Sequence, residues 1–93
     1  MAFRRNEDFI CRNIAGEVIL VPTGKAAQQL NGMVSLNETG AFLWECLKDD
    51  VTQERLCELL MEEYEVSRET ALADIKEFID KAAAENMVLE IPA

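Results

Sequence analysis

The hydrophobic pattern of this chain changes its period once, at Asn37, and this change limits the folds open to it. Before that point, apolar and polar residues alternate over 9–14, and a short β-branched run follows at 17–21; both patterns are typical of strands. After it, apolar residues recur every three or four positions, as on one face of a helix. A chain of 93 residues has room for one core. We therefore expect a single α+β domain over residues 1–93.

The first part of the chain predicts a three-stranded antiparallel sheet over about residues 8–36. Ala15-Gly16 separates the first two apolar segments and predicts the turn of a hairpin. The other predicted elements are a polar connection at 23–30 and a brief, uncharged third strand at 33–36. A sheet of this kind has two edges, and the third strand is expected to form one of them.

The second part predicts three helices over about residues 37–86. Asn37, Thr52 and Ser67 are good N-caps, because their side-chain oxygens can accept a free N–H of the first turn. Asn86 suits a left-handed helix end, and residues 87–91 are expected to form a short extended tail. The expected buried stripes are Leu56, Leu59, Leu60 and Tyr64 in the second helix, and Leu72, Ile75, Phe78, Ile79 and Ala82 in the third. The order of the predicted strands and helices resembles that of a winged-helix domain.

Charge and the absence of histidine exclude several functions. The net charge is −9, and it divides unequally: residues 1–36 carry a net +1, whereas residues 37–93 carry five basic and fifteen acidic residues. The third predicted helix, residues 67–86, has a net charge of −2, so a phosphate-lined groove would repel it. Without histidine there is no imidazole base and no Cys/His zinc site. We expect no catalytic residue, no metal and no cofactor.

Cysteine usage and the N-terminus favour a cytoplasmic protein. Cys11, Cys46 and Cys57 form no Cys-x-x-Cys pair, and their odd number is unlike a secreted disulfide framework. We expect all three to be small core residues. No apolar segment follows Arg4 and Arg5 as in a signal peptide, and no apolar run approaches 18 residues. Neither secretion nor a membrane span is expected.

Four segments in a fixed order carry a family resemblance. They are Leu-Asn-Glu-Thr-Gly-Ala-Phe-Leu-Trp-Glu-Cys-Leu at 36–47, Glu-Glu-Tyr-Glu-Val at 62–66, Ala-Asp-Ile-Lys-Glu-Phe-Ile at 73–79 and Asn-Met-Val-Leu at 86–89. Over roughly residues 8–91 this set resembles the coenzyme PQQ synthesis protein D family, with Asn86 where the family commonly has glycine. The resemblance implies a recognition element for precursors of ribosomally synthesised, post-translationally modified peptides (RiPPs). Such a domain is non-catalytic, captures the leader segment of the precursor peptide and presents it to a modifying enzyme, often a radical S-adenosylmethionine enzyme.

A physical route to that function is strand addition. The outer edge of the third strand offers unpaired N–H and C=O groups to an extended peptide, and the third helix would form the other wall of the groove. We expect Lys76 at the rim to meet an acidic leader residue, and Val34→Pro to weaken binding by removing an outward N–H. The predicted peptide-binding residues are Gly32, Met33, Val34, Ser35, Leu36, Leu72, Ile75, Lys76, Ile79 and Ala83.

Other functions stay open from the residues alone. A winged-helix DNA-binding or regulatory protein would have the same element order, although its charge disfavours it. A small acidic carrier protein is a third possibility, but Ser35 and Ser67 each follow valine, whereas a carrier needs an attachment serine after aspartate. The expected partners are a leader peptide and a modifying enzyme, without nucleic acid or membrane, and the expected state is a monomer or a weak homodimer.

Overall fold

The computed structural model describes residues 1–29, with Gln29 in its backbone only, and residues 32–92. The elements in chain order are β1 (Ala2–Arg5), β2 (Phe9–Ile14), β3 (Glu17–Pro22), α1 (Gly24–Gln29), β4 (Val34–Leu36), α2 (Glu38–Cys46), β5 (Val51–Thr52), α3 (Gln53–Glu63), α4 (Arg68–Ala84) and β6 (Val88–Ile91). The predicted α+β fold with a three-stranded antiparallel sheet is confirmed, since β2, β3 and β4 pair in that order. The three predicted helices are α2, α3 and α4.

A tight turn fixes the register of the β2–β3 hairpin. Ala15 and Gly16 have positive φ values of 53° and 82°, as a two-residue type I′ turn requires. This turn matches the right-handed twist of the strands, and it pairs Ile14 directly with Glu17. Pairing continues without a bulge from there to Phe9 and Pro22.

A second sheet, in the order β5-β1-β6, was not predicted as a sheet. β1 is antiparallel to β6, with Ala2 opposite Ile91 and Arg5 opposite Val88, so the predicted extended tail is a paired strand. The Arg5 guanidinium also lies 5.7 Å from the ring centroid of Trp44, which is 2% exposed. The start of the chain is thus held both by the last strand and by α2.

The helices begin and end where their capping residues predict. The Oδ1 atom of Asn37 accepts the Gly40 N–H at 2.7 Å, and Thr52 and Ser67 cap α3 and α4 through bonds of 3.1 Å each. Asn86 has a φ of 58°, as expected for a left-handed residue after a helix. All three of these helices contribute buried side chains to the core.

One core joins both sheets to the helices. Its largest fully buried side chains are Leu20, Leu43, Leu47, Leu56, Leu60, Ile75 and Cys57. Several expectations fail around it. Cys11 is exposed, because β2 projects beyond the core after Phe9. Cys46, at the end of α2, is half-buried, and Leu72 of the expected stripe in α4 is exposed. The predicted polar connection contains the helix α1, whose Ala26 is buried.

Candidate functional site: a groove between β4 and α4

The strand β4 forms one edge of its sheet, as the sequence predicts. It pairs with β3 on one side, and within the described residues no strand pairs with the other. The side chains of Val34 and Leu36 are half-buried and lie on the same face of the sheet as the buried Leu20, which faces the core. The Ser35 side chain is exposed on the opposite face. Val-Ser-Leu carries no charge, so this edge offers a neutral backbone to a further strand.

The register identifies which backbone groups of β4 face outward. In a two-residue hairpin, the two residues that flank the turn form a pair joined by two backbone hydrogen bonds. Along the strands away from the turn, non-hydrogen-bonded and hydrogen-bonded pairs then alternate. Counting from Ile14–Glu17, the backbone groups of Val18 and Leu20 point away from β2 and towards β4. Their partners there are Leu36 and Val34.

The residue between them has the opposite orientation. Ser35 faces Ile19 in a non-bonded pair, so its N–H and C=O point away from β3. The expectation for Val34→Pro is therefore wrong in its reason, because the N–H of Val34 bonds to β3. Ser35 supplies the free donor and acceptor in the middle of this edge.

A groove of about 340 Å³ runs between this edge and α4. β4 forms one wall, α4 the other, and the start of α2 lies beneath. Its lining residues are Val34, Ser35, Leu36, Asn37, Thr39, Gly40, Leu43, Asp74, Glu77, Phe78, Lys81, Ala82 and Met87. The lining is mixed: Leu36, Leu43, Phe78 and Met87 are apolar, Asn37 and Thr39 beneath the groove are polar, and the helix wall carries charges.

A glycine keeps the floor of the groove low. A Cβ built on Gly40 would lie 3.6 Å from both Leu36 Cδ2 and Phe78 Cε1, and 3.1 Å from Asn37 Oδ1. Leu36 from one wall and Phe78 from the other therefore both lie close to this backbone position. The Leu-Asn-Glu-Thr-Gly segment therefore combines three structural roles within five residues: it contains the end of the edge strand, the N-cap of α2 and the glycine beneath the groove.

The helix wall carries more negative than positive charge. Lys81 Nζ lies 3.0 Å from Glu77 Oε1, so these two charges largely neutralise each other. Asp74, one turn before Phe78, has no ion pair among the described residues. The wall therefore presents a carboxylate at one end and an ion pair at the other.

The structure places the predicted site residues in two groups. Val34, Ser35 and Leu36 line the groove, with Gly32 and Met33 exposed just before them. Gly32 has a φ of 100°, which a glycine adopts easily. Met33 precedes β4 rather than belonging to it. The five residues predicted from the helix are the second group.

These five residues lie off the groove. Ile75 and Ile79 are buried in the core, at 1% and 3% exposure. Lys76 Nζ pairs with Asp80 Oδ2 at 3.2 Å, and at 100° per residue it projects from the side of α4 opposite the groove. Leu72 and Ala83 are exposed towards that same side. Lys81, and not Lys76, is the lysine that lines the groove. Phe78 and Ala82 of the predicted apolar stripe also line it, whereas the other wall residues, Asp74, Glu77 and Lys81, lie outside that stripe.

The described residues form no group of metal ligands, and the thiol of Cys46 is half-buried. Within residues 1–29 and 32–92 no three His, Cys, Asp or Glu side chains are grouped as a metal ion would need. Burial raises the pKa of the Cys46 thiol, with a further contribution from Glu45; a raised pKa opposes nucleophilic reactivity at neutral pH. None of the helices described has the length and apolarity that a bilayer span requires.

Comparison with known proteins decides the family. The family model for coenzyme PQQ synthesis protein D (PqqD) matches residues 17–88, a range that contains β4, α2 and α4. The chain belongs to the PqqD family. A comparison with curated proteins finds no match.

Two solved structures share the fold of this PqqD-family chain. One, described as TbiB1 in complex with the TbiA(beta) leader peptide, has a TM-score of 0.75 and 20% identity, covering 97% of this chain and 99% of that one. The other is a lasso peptide synthetase B1 complexed with the leader peptide, with a TM-score of 0.74 and 24% identity over 95% and 98% of the two chains. Both matches extend over nearly the full lengths of the chains compared.

Proposed function

We propose that this chain binds the leader segment of a ribosomally synthesised precursor peptide in the groove between β4 and α4. The observation that carries the proposal is the neutral edge of β4, which pairs with no other strand among the described residues, beside a partly apolar groove in a PqqD-family fold. Both solved neighbours are described as complexes with leader peptides, which supports the same use of the fold here.

Strand addition explains the affinity of such a site. A peptide that extends beside β4 bonds to the N–H and C=O of Ser35, and these contacts are independent of its sequence. Its alternate side chains then point towards α4, where Leu36, Phe78 and Ala82 can contact them. Backbone pairing thus supplies affinity, and the groove reads sequence.

The domain has a binding role rather than a catalytic one in this proposal. It holds the leader, and a separate enzyme modifies the rest of the precursor. A radical S-adenosylmethionine enzyme is the partner class implied by the family, and we propose that the two meet in the cytoplasm, with this chain as a monomer or weak homodimer. An edge that accepts a leader can also pair with a second copy, so the two states compete.

DNA binding is the weaker alternative. The face of α4 that remains exposed opposite the groove carries the Lys76–Asp80 ion pair, and residues 67–86 have a net charge of −2. A recognition helix of this charge would be repelled by the phosphates on both sides of a major groove. A salt-sensitive mobility shift with random duplex DNA would reverse this judgement.

A titration followed by NMR tests the proposal. The ¹⁵N-labelled full chain is titrated with synthetic peptides that correspond to the N-terminal parts of short open reading frames encoded beside its gene. We expect one peptide to shift the amide signals of residues 33–37 and 74–82 in a saturable manner. Shifts confined to the hairpin tip or to the β5-β1-β6 sheet, or no shifts with any of these peptides, would overturn it.

A further inference from the structure

The charges on the helix wall of the groove predict the charge of the peptide that binds there. We propose that the leader recognised by this chain carries a lysine or arginine that lies opposite Asp74, with apolar residues two and four positions away from it. This inference rests on the proposed function and adds the chemistry of the ligand. It replaces the expectation of an acidic leader residue, since Lys76 lies on the other side of α4.

Charge complementarity is the first support. Asp74 is the one groove-lining charge without an ion pair among the described residues, because Glu77 and Lys81 pair with each other. An acidic guest residue would approach this carboxylate and the net −10 of residues 37–93. A basic one is attracted both locally and by the long-range field of the chain.

Spacing is the second support. Asp74, Phe78 and Ala82 are four residues apart on α4, so they follow one another at about 6 Å along the helix axis. In an extended peptide, side chains on one face repeat every two residues, at about 6.6–6.8 Å. Three successive inward side chains of the guest can therefore lie opposite these three positions.

Each position then selects a side chain. Asp74 attracts a cation, and Phe78, half-buried in the groove lining, favours an apolar group. Ala82, Leu43 and Met87 also line the groove and are almost fully buried, at 1%, 0% and 5% exposure, so the surface at this third position is apolar and favours an apolar residue. The pattern is basic-x-apolar-x-apolar, in one chain direction or the other.

A selection experiment tests the pattern without knowledge of the natural leader. The immobilised full chain is used to select from an mRNA-displayed library of random, cysteine-free twelve-residue peptides. Binders that shift the Ser35 and Phe78 amides of the labelled chain are kept as groove binders. We expect them to be enriched in lysine or arginine that is followed or preceded by apolar residues two and four positions away.

Two charge reversals on one helix provide the matched control. Asp74→Lys and Asp80→Lys change the net charge equally, but Asp80 lies on the opposite side of α4, where it pairs with exposed Lys76. We expect Asp74→Lys to weaken the selected peptides about 3- to 10-fold, as when an exposed attraction becomes a repulsion. Asp80→Lys should change their affinity less than about 2-fold, because its charge is distant and screened.

The outcomes separate this inference from the proposed function. Groove binders that lack a basic bias, or an equal loss with both variants, overturn the charge assignment and leave leader binding intact. If no selected peptide shifts the groove amides, both are overturned. Enrichment in acidic residues would refute the inference most directly.

Discussion

Replacing Ser35 by proline isolates the backbone contact on which strand addition depends. The N–H of Ser35 points away from β3, so proline removes an outward donor and no bond within the sheet. A hydrogen bond of this kind contributes about 0.5–1.5 kcal/mol net. Loss of this bond alone should raise the dissociation constant of a leader peptide about 2- to 13-fold. The proline ring takes up space beside the strand and should raise it further.

The measurement is isothermal titration calorimetry with the leader peptide identified by NMR. Ser35→Ala is the matched control, because it keeps the N–H and removes only an exposed hydrogen bond from Ser35 Oγ to Glu17 Oε1 of 2.9 Å. Its dissociation constant should change less than about 2-fold. Val34→Pro serves as a contrast: it removes a bond to β3, so it should lower thermal stability as well as binding.

Two results would refute this reasoning. One is an unchanged dissociation constant for a Ser35→Pro variant whose amide spectrum still shows the β3–β4 pairing. The other is an equal loss of affinity in Ser35→Ala, which would assign the contact to the hydroxyl group and not to the backbone.

Three further predictions concern stability and reactivity. Ala15→Asn should raise the free energy of unfolding by about 1 kcal/mol in urea denaturation, because asparagine tolerates the φ of 53° better than alanine; a loss of stability would contradict the type I′ assignment. Leu60→Ala, at a side chain 1% exposed between α3 and α4, should cost about 2–5 kcal/mol in the same assay, and a loss below 1 kcal/mol would mean that the core is looser than described. Iodoacetamide at pH 8 should alkylate exposed Cys11 before half-buried Cys46, because burial restricts access to the Cys46 thiol and raises its pKa; the reverse order in mass spectrometry would refute this.

The sequence predicts the elements whose signals are local. The caps at Asn37, Thr52 and Ser67 each act within three residues, and the Ala15-Gly16 turn needs only its own backbone angles. α1 also has a local signal, since Lys-Ala-Ala-Gln-Gln are good helix formers. We expected a connection there because the segment is short and polar.

The features that sequence reasoning missed depend on distant parts of the chain. Ala-Phe-Arg-Arg becomes the strand β1 only because β6 pairs with it, more than 80 residues later. The wall of the groove is a similar case. An apolar stripe shows which side of α4 is buried, but only the position of β4 decides which neighbouring side borders the groove. Phe78 and Ala82 belong to both sides, and they are the stripe residues that could have indicated the right face.

The pairing of β1 with β6 has a practical consequence. Ala2 lies opposite Ile91, so the two ends of the described chain leave the molecule side by side, on a sheet separate from the one that contains β4. The domain can therefore be inserted into a surface loop of another protein, because the pairing of its first and last strands keeps the two points of attachment close together. Joined to an enzyme in this way through a short flexible linker, it would hold a captured peptide near the enzyme at an effective concentration of about millimolar.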